Sequence, residues 1–217
     1  MNETQDNITP MDPKLVKQNR IKLIAIFGVA LLPLILAVSM YFGNWAIPQG
    51  KTNKGTLIWP PVTLNSIDSK QVDDQDNDLM KKVLEAKTWT IMMTGGSTCE
   101  KSCADTLHTI RQVNVALGKE NDRVGRILVS SLPNETIEKW VKEYPRLVTH
   151  FATRAEIEHF QREAINNGAK FDSTQDKEWN VWVVDPLGNV ILQYSDNNDG
   201  YDMIDDLKRL LKLSNIG

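Results

Sequence analysis

The chain has 217 residues, 25 basic and 28 acidic side chains, and a formal net charge of −3. That length holds one domain of ordinary size plus an appendage. The mildly acidic balance leaves no basic footprint for nucleic acid.

Residues 1–22 form a polar segment of mixed charge. From Leu23 to Phe42 the chain then runs without a charged residue. Twenty apolar residues are about what a bilayer core requires, so 23–43 is read as a transmembrane helix in contact with lipid. Pro33 lies inside it, which membrane helices tolerate. Tyr41, Phe42 and Trp45 cluster at the far edge, where an interface favours aromatic rings. A cleaved signal peptide is the rival reading, but the apolar core is too long and no small-x-small cleavage site follows. Glu3, Asp6 and Asp12 argue against a mitochondrial presequence. Lys14, Lys17, Arg20 and Lys22 precede the span, against Lys51 and Lys54 after it. The bias places the N-terminus in the cytoplasm and the main domain outside, which in a bacterium means the inner membrane and the periplasm. Disulfide chemistry is available there.

Residues 44–78 read as an extracytoplasmic tether. Pro48, Gly50, Gly55, Pro60 and Pro61 punctuate it, with a short extended piece at Thr56-Leu57-Ile58-Trp59. The Asp- and Gln-rich stretch 68–78 reads as a solvated loop.

The remainder, 79–217, alternates regularly. Thr88–Thr94 is a strand and Asp105–Gly118 a helix, with Leu107, Ile110, Val113 and Leu117 at helical spacing. Arg126–Ser131 is a buried strand and Glu135–Tyr144 a helix. Thr153 and Glu156 form a capping-box pattern for a helix through Asn166. Trp179–Asp185 and Asn189–Tyr194 flank Pro186-Leu187-Gly188, a hairpin signal. A last helix runs from about Tyr201 to Leu213, with Asp202, Asp205 and Asp206 at its start and Lys208, Arg209 and Lys212 at its end, as the dipole prefers. The first two strands, joined by a helix, are expected to be parallel and the last pair antiparallel. With two cysteines, Cys99 and Cys103, at the helix start after the first strand, this order is expected to fold as an α/β, thioredoxin-like domain with one N-terminal transmembrane helix.

The two cysteines, Cys99 and Cys103, fall between the first strand of this domain and its helix, after Gly95 and Gly96. A helix N-terminus offers unpaired N–H groups and a positive dipole end, which favour a thiolate. Cys99 is therefore the more nucleophilic sulfur, and Cys103, one turn on, its resolving partner. The same pair serves equally as a two-sulfur metal clamp. A structural staple is the plain alternative, but closing one turn gains only about 2 kcal/mol and ties no distant parts together. No phosphate loop, zinc spacing or Ser/His/Asp constellation points to small-molecule turnover.

The chain resembles the Sco/SenC branch of membrane-anchored thioredoxin-fold proteins over about 88–213. The resemblance rests on Cys99-Glu100-Lys101-Ser102-Cys103, on Trp182-Val183-Val184-Asp185-Pro186-Leu187-Gly188, and on Asp206-Leu207-Lys208-Arg209-Leu210-Leu211. Asn53-Lys54-Gly55-Thr56-Leu57-Ile58-Trp59-Pro60-Pro61, after the anchor, is similar to small Sco-related proteins of proteobacteria. The resemblance implies copper delivery to cytochrome c oxidase or reduction of its copper-site cysteines, with an oxidase subunit or another respiratory assembly factor as partner. It implies Cu(I) held by Cys99, Cys103 and a histidine on the loop before the third strand. That loop, 170–178, contains no histidine here. His108, Met92 and Met93 are the nearest substitutes, each read first as a packing or surface residue. His150 and His159 are read as solvent-facing. The family's cis-proline is absent before Trp179, and Glu100 stands where the family carries proline. Three functions stay open: a redox assembly factor, a Cu(I) metallochaperone, and an interaction domain in which the pair is a vestige.

Overall fold

The computed structural model describes residues 13–43, 52–67, 78–96, 98–171, 179–195 and 198–214. It divides into two compact units, Met1–Lys51 and Thr52–Gly217.

The first unit holds one helix, α1 (Pro13–Gly43), which begins ten residues before the apolar run. Its 31 residues extend about 46 Å at 1.5 Å each. Its most apolar window has a mean hydropathy of 2.7 and none of it is buried. From Leu23 to Phe42 it carries no charged residue on any face, and this stretch is long and apolar enough to cross a membrane.

The second unit is a six-stranded mixed sheet in the order β1-β6-β5-β2-β3-β4. Its strands are β1 (Thr56–Thr63), β2 (Trp89–Gly95), β3 (Val124–Ser130), β4 (Leu147–Phe151), β5 (Asn180–Val184) and β6 (Asn189–Tyr194). Its helices are α2 (Leu79–Ala86), α3 (Lys101–Ala116), α4 (Asn134–Glu143), α5 (Arg154–Asn166) and α6 (Gly200–Leu213). β2 and β3 run parallel and β5 and β6 antiparallel, as expected, and β5 also pairs antiparallel with β2. The capping box at Thr153 forms in full. The β5–β6 turn closes on Gly188, whose φ of +83° suits glycine.

Each face of the sheet covers one core. The first gathers Ile91, Met93 and Leu128 with α3, α4 and α6. The second gathers Met92, Val129 and Trp182 with β1, α2 and α5. Every residue of β2 is buried, so the strand that delivers the cysteines is covered on both sides.

Three features depart from the sequence reading. Residues 56–67, expected within the tether, are built into the domain. β1 pairs with β6, and Ile58, Val62, Leu64 and Ile67 are buried. Pro60 and Pro61 sit on an edge strand, where a missing donor costs no ladder bond. β4 was not anticipated: it is five residues long and its pattern is broken by a buried histidine. α2 was not anticipated either; Asp78 caps it through Lys81 N at 2.8 Å.

Candidate functional site

The site grows from the end of β2. Met93 and Thr94 are buried, Gly95 closes the strand, and α3 begins at Lys101 with Glu100 as N-cap. The Glu100 side chain makes no cap bond, and Cys99 sits directly before this helix start, where free N–H groups and the dipole favour a thiolate. Cys99 and Cys103 form a disulfide across the first turn, with Cα atoms 5.0 Å apart. Their surroundings differ. Cys103 is 0% exposed within the α3-side core, whereas Cys99 is half-buried at its edge. The structure thus pairs one sulfur that a partner can approach with one that only its neighbour can reach.

Behind the site, Trp182 is fully buried on β5 and donates Nε1–H to Thr94 Oγ1 at 2.9 Å. Phe160 meets its ring edge-on at 5.0 Å, and Phe171 lies at 6.0 Å. This bond fixes the residue before Gly95 and hence the exit of the cysteine loop.

The proposed third ligands do not gather at the pair. His108 lies on the exposed side of α3, with Nε2 3.4 Å from Gln112 Nε2. Met92 and Met93 are both buried and serve opposite cores. His159 is exposed, as expected. His150 is not: it is 3% exposed on β4. Most of the 170–178 loop lies outside the described residues. Among the described residues no three His, Cys, Asp or Glu side chains cluster. The donor set therefore does not fit the three-ligand Cu(I) site that the resemblance implies.

Burial, with Lys82 nearby, pushes the His150 imidazole down to about 4. A histidine kept neutral in the fold contributes fully above its unfolded value of about 6.5 and loses that contribution as pH falls toward 4. Unfolding free energy is expected to drop by about 2 kcal/mol between pH 7 and 5 from this group. Urea melts of the full chain in detergent, beside His150→Leu, read it. An equal pH slope in the variant rejects the assignment.

Asp206 is a buried anchoring residue whose place sequence reasoning missed. It was read as a helix-start acid, yet it is 3% exposed. Its carboxylate accepts from Lys54 N at 3.0 and 2.9 Å, from Gly55 N at 2.9 Å and from the Tyr194 hydroxyl at 3.1 Å. Burial and this carboxylate push the Tyr194 phenol well above its usual range. Asn198 Nδ2 donates to Lys54 O at 3.1 Å, and Arg209 donates to Thr52 O. The chain entering the domain is thereby pinned to β6 and α6.

Two family models match the chain. One, described as the transmembrane-like, thioredoxin-like C-terminal domain, covers residues 89–214, and its N-terminal companion covers 13–44. The chain belongs to the transmembrane-like, thioredoxin-like family. No curated protein matches it. Similar solved structures include copper-bound ScoI of Arabidopsis thaliana, at 18% identity over 59% of this chain and 86% of that one, with a TM-score of 0.46. They include BsSco, described as a member of the Sco family of cytochrome c oxidase assembly proteins, at 21% identity over 76% and 99%, with a TM-score of 0.48. A thiol:disulfide interchange protein from Bacteroides sp. matches at 12% identity over 76% and 95%, with a TM-score of 0.44. The family's two parts meet the two units of this chain, an apolar helix and a thioredoxin-like domain.

Proposed function

We propose that the chain is a membrane-tethered thiol–disulfide exchange protein that acts on cysteines of a respiratory partner, in the biogenesis of cytochrome c oxidase. The observation that carries the thiol chemistry is the disulfide between partly exposed Cys99 and fully buried Cys103 at the start of α3. The oxidase partner rests on the sequence resemblance. Lys14, Lys17, Arg20 and Lys22, in the first turns of α1 ahead of its apolar run, support a cytoplasmic N-terminus and a periplasmic domain at the bacterial inner membrane.

In the reduced protein, the Cys99 thiolate attacks one sulfur of a partner disulfide. A Cys99–partner bond forms and the other partner sulfur leaves as a thiolate that takes up a proton. Cys103 then loses its proton and attacks Cys99, releasing the second partner thiol and forming the intramolecular disulfide. Two electrons pass to the partner. Burial shields Cys103 from outside thiols and leaves Cys99 as its one accessible target.

The full chain in its native membrane tests this. Cys99→Ser is expected to abolish exchange, and Cys103→Ser to accumulate a mixed disulfide with the partner on non-reducing gels. Exchange that survives Cys99→Ser, or an empty Cys103→Ser lane while the wild type cycles, rejects the reading. The copper reading requires a ligand from outside the described residues or from the partner. One-to-one Cu(I) binding to the reduced chain against a competing chelator, lost in both serine variants, would replace the first reading with it.

A further inference from the structure

Beside the cysteine helix lie two clefts that no step above uses. The first, of about 340 Å³, begins at Ser102 in the first turn of α3, the turn that carries the disulfide. α3 supplies Asp105 and Thr106, β5 supplies Val181 with Trp179 just before it, and the far wall is Tyr194 and Asn198. The second, of about 370 Å³, continues between α3 and the start of α6, with Val113, Ala116, Tyr201 and Ile204 on its walls. Thr109 lines both, so the two clefts lie end to end along α3, with the start of α6 close to Thr109 between them. From Ser102 to Ala116 the helix rises about 21 Å, the length of about six extended residues.

The charge of this interrupted groove is one-sided. Asp105 lies in the first cleft and Asp199 in the second, with Asp202 bonded to Asn198 on the wall between them. Among the described residues no lysine or arginine lines either cleft. Asp105 is exposed, and Tyr201 is 78% exposed over the apolar end. Thr106 and Thr109 donate their hydroxyl protons back to the helix carbonyls of Ser102 and Asp105, which leaves their oxygen lone pairs facing outward as acceptors. The acceptors and carboxylates that the described residues present here suit a donor-rich, positively charged segment.

We propose that this groove docks an extended partner segment that carries arginine or lysine beside its target cysteine. The inference rests on the thiol-exchange reading and adds the partner's sequence chemistry to it. The disulfide end receives the cysteine and its basic neighbour, near Asp105. Tyr201, Val113 and Ile204 receive an apolar side chain several residues away.

The probes are eight-residue peptide disulfides with one cysteine, flanked by arginine, alanine or glutamate, and the full reduced chain in nanodiscs. The arginine peptide is expected to oxidise the Cys99–Cys103 pair about tenfold faster than the glutamate peptide at low salt, with the gap closing as salt screens it. Asp105→Asn is expected to shrink the gap and Asp105→Lys to reverse it, with near-UV circular dichroism showing that both variants are folded. Rates that ignore flanking charge while exchange continues overturn the groove and leave the thiol chemistry standing. If no peptide exchanges, that chemistry fails, and the groove is read separately. The arginine peptide with serine for cysteine is then expected to shift the amide signals of Thr106, Thr109 and Tyr201 in the isotope-labelled chain. Unmoved signals overturn the groove.

Discussion

Asp206→Ala is expected to lower unfolding free energy by about 3 kcal/mol and to open the Lys54–Gly55 bond to trypsin. The carboxylate receives two backbone N–H groups and one phenol, and only 3% of the residue is exposed. Alanine leaves those donors without an acceptor where little water reaches them. Hydrogen bonds to a charged group are each worth about 1.5–3 kcal/mol, and part of the loss is recovered as the segment frays into solvent. Fraying is the visible consequence. Gly55 is held so closely that a Cβ there would lie 3.0 Å from the Tyr194 ring and 3.1 Å from Gln193 O. Asp206→Asn keeps an acceptor but turns its amide donors on groups that also donate, so it should fall between wild type and alanine. Tyr194→Phe removes one bond and is expected to cost about 1 kcal/mol. Urea melts and timed trypsin digestion of the full chain check all three. Equal cleavage after Lys54 in wild type and Asp206→Ala would show that the segment is not held by this acid.

Asp206 also shows where the sequence was opaque. Its neighbours Met203, Leu207 and Leu211 betrayed the apolar face of α6 by their spacing, and the helix formed as expected. Nothing local marked Asp206 as buried, because its partners lie about 150 residues earlier in the chain. β1 escaped for the same reason. Pro60 and Pro61 argue against a strand by propensity, and only pairing with β6 overrides them. His150 looked like a surface residue because imidazole is polar; its burial follows from β4 packing beside β3, a pairing no spacing announces. The placement of the cysteine pair between strand and helix was legible because its signals are local. A buried strand, a glycine turn and a helix start fall within fifteen residues, and each carries its own signal. The anchor was legible because lipid imposes a length on an uninterrupted apolar run. The α3–α6 groove was not, since its walls come from four separate elements.

Trp182→Ala is expected to cost about 4 kcal/mol, within the usual range for removing a large buried aromatic, with loss of the ordered exit from β2. The ring fills the second core between Phe160 and Phe171, and no part of it reaches solvent. Trp182→Phe separates packing from positioning. It keeps most of the apolar volume but deletes the donor to Thr94 Oγ1, at an expected cost of about 1–2 kcal/mol. Thr94 is followed by Gly95, Gly96 and the cysteine segment, so the phenylalanine variant loosens the path on which Cys99 is carried. Cys103 is held independently by α3 in the other core. Loosening one sulfur and not the other makes the ring harder to close. The expected result is a disulfide more easily reduced by dithiothreitol in Trp182→Phe than in wild type, with Thr94→Val giving the same direction. An unchanged redox equilibrium in both variants, with stability lowered as stated, would confine Trp182 to packing and detach the second core from the chemistry of the pair.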